Sequence, residues 1–451
     1  MLSGDIKTTL RRMTVPMIFG MVMLMTFSIV DTFFVSMLGT EQLAAISFTF
    51  PVTFTVISLN IGLGIGTSAI IAKYIGGGDT ANAKSIATGA LMLAALLVGV
   101  LSTIGFFSIE ATFSLMGASD ELMPYISAYM APWYLAGVFL AIPMVGNAVL
   151  RAFGDTKTPS IIMAAGGGIN ALLDPILIFG WGPIPAMGIQ GAAIATAIAW
   201  AVSVFWIIHL LAVKRQLIET RLLSFAEFIV AARGVLKIGL PAAGANMLTP
   251  IAGGVMTAVV ATYGAEAVAA WGVGNRLESI ASIIVLALSM SLPPFISQNY
   301  GANQFSRIKQ AFDMCAKFVV AWQLFVFIVL ALCAPWIAAV FAEEASVARD
   351  IRLFLLIVPL GYGLQGIIIL ANSSFNAMHL PMSALILSIL RLFVCYVPIA
   401  WLGSYLYGLE GLFWGCVVAN LFTACISYFW FKQNIKKEIE QSPVLPIVES
   451  D

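Results

Sequence analysis

Apolar runs recur from one end of the chain to the other, broken by short polar stretches. A helix needs about 20 apolar residues to cross the hydrocarbon core of a bilayer. On this pattern twelve membrane-spanning helices are expected, near 13–38, 46–72, 83–107, 122–150, 159–180, 188–212, 236–262, 271–297, 312–339, 353–377, 382–404 and 408–431. The fold class is therefore an all-α polytopic membrane protein. Few charges interrupt the runs. Span 1 reads MVMLMTFSIVDTFFVSML, with one charge, Asp31, near its middle. Span 5 reads GGGINALLDPILIFG, where Asn170 and Asp174 are four residues apart and share one helix face. Pro175 follows and leaves a carbonyl of the preceding turn without its helical donor.

The pattern is written twice. At a shift of 225 residues, Pro16 falls on Pro241, LGTEQLAA (38–45) on YGAEAVAA (263–270), Gly76 on Gly301, Lys84 on Lys309, and NAVLRA (147–152) on NSSFNA (372–377). GIQG (188–191) matches GLEG (408–411) at a shift of 220. Six spans are thus followed by six, and because six is even both halves share one orientation, related by an axis along the membrane normal. The expected division is an N-terminal lobe over 1–213, a cytoplasmic linker over 214–235, a C-terminal lobe over 236–431 and a cytoplasmic tail over 432–451. The tail's last ten residues, SPVLPIVESD, are expected to be disordered. The repeat also isolates the acids. The counterpart of Asp31 is Met256, and the counterparts of Asn170 and Asp174 are Phe393 and Val397. The repeated fold position does not itself need a carboxylate.

Composition fits the same picture. The chain is 61% hydrophobic and 10% charged, against about 25% charged for a soluble domain. No signal peptide is expected, since the first apolar run is too long for an h-region. The net charge is zero, but the basic residues are not spread evenly. Seventeen of the 22 Lys and Arg fall at the N-terminus, in loops 2–3, 4–5, 6–7 and 8–9, and in the tail. The positive-inside rule then puts both termini in the cytoplasm, in a plasma (inner) membrane. Cys315, Cys333, Cys395, Cys416 and Cys425 read as small core residues without metal spacing. His209 and His379 form no ligand cluster, and no metal or organic cofactor is expected. No HExxH, GxSxG or phosphate-cradling Gly-x4-Gly-Lys-Ser/Thr loop is present. The chain therefore reads as a transporter rather than an enzyme, driven by an ion gradient rather than ATP. No nucleic-acid partner is expected, and a monomer is expected.

A carboxylate at the depth of Asp31 costs about 2.5–3.5 kcal/mol on insertion scales and usually faces a cavity or pathway. Two carboxyls in an apolar lobe resist ionisation, by desolvation and by mutual repulsion, so the pair can hold a proton. With Asn170 and a hydroxyl such as Thr196, the same oxygens can instead hold Na⁺. The sequence leaves H⁺ and Na⁺ open. Pro16 is a ready place for span 1 to bend. Met23, Phe27, Phe34, Met37, Phe48 and Phe54 are candidates for a promiscuous apolar substrate surface. In the second half, Arg391 lies deep in span 11 and needs a partner, and Glu278 of span 8 is the candidate for a structural ion pair.

Over essentially its whole length the chain resembles the multidrug and toxic compound extrusion (MATE) family. The resemblance is carried by Pro16 and Asp31, the GTEQLAA turn, LRAFGDTKTP (150–159), NALLDP (170–175) and GIQGAAIATA (188–197). Within the family it is more similar to the DNA-damage-inducible-F-like branch than to the NorM branch. The latter has a second acidic group in spans 7 and 10, where this chain has Thr249 and Gln365. The resemblance implies two six-helix lobes in a V around a central cavity. It implies cation-coupled efflux of organic, mostly cationic and apolar compounds, and with it antibiotic resistance. It places an acidic site in the N-terminal lobe, matched by Asp31, Asn170, Asp174 and Thr196. The tyrosine often found one turn before the span 1 acid is here Phe27. Rival readings are a lipid-linked oligosaccharide flippase or a specialised metabolite exporter of the same superfamily.

Overall fold

Long apolar stretches in which each backbone N–H and C=O must find a partner away from water leave the chain little choice but helix. The computed structural model describes residues 1–221 and 223–441; the tail 442–451 lies outside the described residues. The helices are α1 (Ile6–Ser36), α2 (Thr40–Gly76), α3 (Thr80–Phe107), α4 (Ile109–Leu115), α5 (Met123–Leu135), α6 (Gly137–Ala152), α7 (Lys157–Phe179) and α8 (Ile189–His209). They continue with α9 (Phe225–Ala261), α10 (Ala265–Ala281), α11 (Ile283–Gly301), α12 (Phe305–Phe341), α13 (Ala345–Ile357), α14 (Tyr362–Ala377), α15 (Pro381–Ile389) and α16 (Val397–Gln441). Among the described residues the one β pairing is an isolated bridge, Trp181 to Ile184.

Among the described residues sixteen helices make twelve spans, because several spans are broken and the short α4 lies between spans 3 and 4. Span 4 is α5 plus α6, bent by 50°. Span 8 is α10 plus α11, parted at Ser282. Span 10 is α13 plus α14, joined by a 3-10 turn over Val358–Gly361. Span 11 runs from α15 through a π-helical stretch, Leu390–Tyr396, into the start of α16. The helical path of α16 breaks at Tyr407 and Gly408, and the remainder is span 12. Apolar periodicity predicts where spans lie, but not such breaks, which depend on local partners for a few backbone groups.

The backbone repeats as the sequence does. Positive φ occurs at Gly39 and Gly264, at Gly78 and Asn303, and at Gly154 and His379, each pair 225 apart, and at Gly188 and Gly408, 220 apart. Gly39 (φ 121°) and Gly264 (φ 101°) open the two matching turns in a backbone region that side chains rarely adopt.

Two compact units form. One comprises residues 11–75 and 79–247, the other 1–10, 76–78 and 248 onward. In the first, α7 and α5 pack on α8, and α3 packs on α6. Its core runs from Leu63 and Ile71 through Phe113, Met130 and Trp133 to Ile207 and Val235. In the second, α14 is central, packed by α11, α12 and α16. Phe312, Phe375 and Phe431 fill one apolar cluster there, and Trp271, Phe354 and Phe413 a second. Met1, Ile6 and Leu10 join the first of these clusters, so α1 starts in one unit and continues in the other.

Candidate functional site

α1 and α7 approach closely because small residues line their seam. Ser160 Oγ donates to Met17 Sδ at 3.5 Å. A Cβ added to Gly20 would stand 2.9 Å from Ser160 Cα. Two turns further along α7, the ring of Phe27 lies against Gly167. α1 is helical through Pro16 to Ser36, and α7 through Pro175 to Phe179.

This seam leads to the two acids. Asp174 is fully buried and Asp31 half-buried. Their carboxyls are within hydrogen-bonding reach of each other. Asp174 Oδ2 is buried and meets no protein N–H or O–H donor. Two ionised carboxylates have nothing to donate to each other, so this contact becomes a hydrogen bond only when a proton lies between them. Asn170 Nδ2 donates to Asp174 Oδ1 at 3.3 Å and to Thr196 Oγ1 at 3.1 Å. Thr196 Oγ1 in turn donates to the Ala192 carbonyl at 3.1 Å. Asp31, Asn170, Asp174 and Thr196 therefore occupy one cluster between α1, α7 and α8. The cluster can hold a shared proton. Its carboxylate and hydroxyl oxygens are also of the type a hard cation takes, although Asn170 turns its Nδ2 toward Asp174 and Thr196.

Sequence reading missed Tyr129 of α5, which lies within electrostatic reach of both acids. Nothing in MPYISAYMAPWYL separates its tyrosines from interfacial anchors of a span end. Its nearness to the two acids comes from the fold and not from its local sequence.

The six candidate substrate contacts have different surroundings. Phe27 sits on Gly167 and Gly168. Phe34 packs edge-on to Phe179 beside Val35 and Ile178. Phe48 packs on the main core of its unit. Phe54 lies against Phe50, with ring centroids 5.5 Å apart. Met23 is half-exposed and Met37 exposed.

The expected ion pair in the second half needs correction. Among the described residues, no contact within 4.0 Å joins Arg391 to Glu278. Gln365 Nε2 donates to Glu278 Oε1 at 2.8 Å instead. Arg391 is near enough to feel the Glu278 charge, but its Nε is buried without a partner. Gln365, brought to span 8 by the packing of the second half, takes the carboxylate oxygen that the sequence reading assigned to Arg391. Among the described residues, no group of three or more His, Cys, Asp or Glu gathers as a metal site.

A family model described as MatE matches residues 16–176 and again 241–402, two starts separated by the repeat distance. The FAD transporter of Shewanella oneidensis is 41% identical over 429 residues, covering 95% of each chain. The multidrug export protein MepA of Staphylococcus aureus is 26% identical over 422 residues, covering 90% of this chain and 89% of that protein. The crystal structure of the Vibrio cholerae MATE transporter VcmN in the bent form superposes with a TM-score of 0.90 at 34% identity, covering 96% of this chain and 98% of that one.

Proposed function

The chain belongs to the MATE family of multi-pass membrane transporters, and we propose that it exports organic compounds against an inward cation gradient. The observation that carries the reading is the contact between Asp31 and Asp174, with Asp174 Oδ2 lacking any protein donor. A proton entering from outside completes that contact. Proton loss restores two like charges side by side, which drives the carboxyls apart. Because Asp31 belongs to α1, gain or loss of the proton changes how α1 packs on α7, and Pro16 gives α1 a place to bend. Na⁺ held by the same four side chains is the alternative coupling ion. We also propose a monomer in the plasma (inner) membrane; the one-sided basic loops support a cytoplasmic location for both termini.

For the substrate, the first reading is multidrug efflux of apolar organic cations, supported by likeness to MepA and by the acidic character of the site. A second reading is an anionic flavin dinucleotide, supported by the higher identity to the FAD transporter and by the deep, unpaired Arg391 Nε. Purified protein in liposomes separates the two. Ethidium and FAD are offered as competing substrates under an imposed proton gradient. Ethidium movement alone supports the first reading and FAD movement alone the second. Movement of neither, with or without Na⁺, overturns both.

A further inference from the structure

α2 and α9 meet backbone to backbone. On α2, Ser58, Gly62 and Gly66 recur every four residues and share one face. On α9, Val235, Gly239 and Ala243 do the same. A Cβ added to Gly62 would overlap the Gly239 carbonyl oxygen and stand 2.8 Å from Ala243 N. A Cβ on Gly66 would overlap the Val235 carbonyl oxygen and stand 3.1 Å from Gly239 N. From the other side, a Cβ on Gly239 would stand 2.9 Å from the Gly62 carbonyl oxygen. Backbone atoms cannot turn aside as a side chain can, so an added methyl must part the two helices. Gly64 lies between the two glycines of α2 and faces elsewhere. Its added Cβ meets Ala148 Cβ at 3.6 Å and the Met144 carbonyl oxygen at 3.8 Å, ordinary van der Waals contacts.

A step of four forward on α2 is a step of four back on α9, so the two helices run antiparallel. Gly66 and Val235 are therefore the pair nearer to loop 2–3 and to the start of α9, the ends that carry Lys73, Lys84, Arg233 and Lys237. On the far side of the seam from those ends, Ser58 is fully buried and its hydroxyl meets no protein partner. Asn60 is fully buried too, and its Oδ1 is likewise unmet. Leaving such groups unmet costs free energy, so a helix face buried in every state is better built from apolar residues. A face that is wetted whenever the helices part recovers those hydrogen bonds from water.

We propose that the glycine seam between α2 and α9 is the closure that shuts the cytoplasmic side of the transporter, and that it parts to admit substrate. Gly62, Gly66 and Gly239 are positioning residues. They touch no substrate and set how completely the two helices close, because residues without side chains let the backbones approach. The inference rests on the export reading and on the cytoplasmic placement of the basic loops proposed above.

The test is labelling of Ser58→Cys by a membrane-impermeant maleimide in membrane vesicles of known orientation. Peptide mass spectrometry identifies the modified residue, so the five native cysteines can stay. With the seam intact, labelling from the cytoplasmic face should be slow. Adding Gly62→Ala or Gly66→Ala should speed it at least about fivefold, a modest shift of the closed population toward the open one. Labelling from the outer face should not rise. Gly64→Ala should leave both rates unchanged. Gly239→Ala, whose added methyl is the least crowded of the seam variants, should also speed cytoplasmic labelling and keeps the test open if the α2 variants do not fold. An unchanged rate in the seam variants that fold, an equal rise in Gly64→Ala, or a rise from the outer face would overturn the closure. Labelling needs no substrate. If the seam opens as expected but the liposomes move neither ethidium nor FAD, the substrate reading fails and the closure stands.

Discussion

Asn170 Nδ2 donates to Thr196 Oγ1 across 3.1 Å and so ties α7 to α8 beside the carboxyl pair. The same amide reaches Asp174 Oδ1, so the hydroxyl of Thr196 helps to fix how the Asp174 carboxyl is turned. Thr196→Val keeps the shape and removes the hydroxyl. Export in liposomes should fall roughly fivefold, the equivalent of one hydrogen bond at about 1 kcal/mol. Thr196→Ser should retain most activity.

In the second half, Glu278 depends on Gln365 rather than on a direct ion pair. Gln365→Leu removes the donor and leaves a carboxyl inside the membrane with one fewer partner. Thermal unfolding in detergent should show a loss of about 1–3 kcal/mol. Exchanging the charges of Glu278 and Arg391 should not restore stability, since no direct contact joins them.

The sequence made the twelve spans, the repeat and the shared face of Asn170 and Asp174 legible, because each is encoded in spacing; grouping them with Asp31 and Thr196 came from the resemblance to the family. Apolar runs count spans. Asn170 and Asp174 share a face by their four-residue interval, and Asp31 has no counterpart in the repeat. Partners on other spans were less legible. Gln365 displaced Arg391, and Tyr129 joined the acids, through contacts between helices far apart in sequence. The helix breaks at Ser282 and Tyr407–Gly408 were also hidden, because an apolar run reads the same whether its helix is straight or broken. Gly167 lay in view within GGG, but that Phe27 lies on it is visible only in the fold.

The N-terminus is held by one side chain. Arg307 Nη1 donates to the Gly4 carbonyl at 3.1 Å and Nη2 to the Met1 carbonyl at 3.3 Å. Its Nε donates to Asn299 Oδ1 at 3.1 Å. Burial and the Arg307 charge hold the Met1 amine below its usual range. Arg307→Ala should loosen residues 1–5 and cost about 1–2 kcal/mol, reduced by partial exposure. Aminopeptidase should then trim the N-terminus faster than in wild type. Lysine cannot reproduce the guanidinium fork, so Arg307→Lys should fall between the two.

At the start of α9, Arg221 Nη2 and Nη1 donate to Glu227 Oε1 and Oε2 at 2.6 and 3.1 Å. The Ser224 backbone N–H adds a third bond, at 2.8 Å. These bonds, the Arg221 guanidinium first, pull the Glu227 carboxyl down from 4.5 to about 2. A depressed folded value means the contribution is present above pH 4.5 and is lost as pH falls toward about 2. Pepsin should therefore cut the linker of the wild type increasingly between those values. At pH 4.5 Glu227→Gln should be cut faster than wild type, and the difference should close as pH falls toward about 2.

The most direct measurement is export from liposomes by wild type and Asp31→Asn, first under a proton gradient alone and then under a Na⁺ gradient alone. Both proteins must be monodisperse and equally folded. The account predicts that one of the two gradients drives export by wild type and that neither drives it in Asp31→Asn. Full-rate export by Asp31→Asn under the gradient that drives wild type would contradict it.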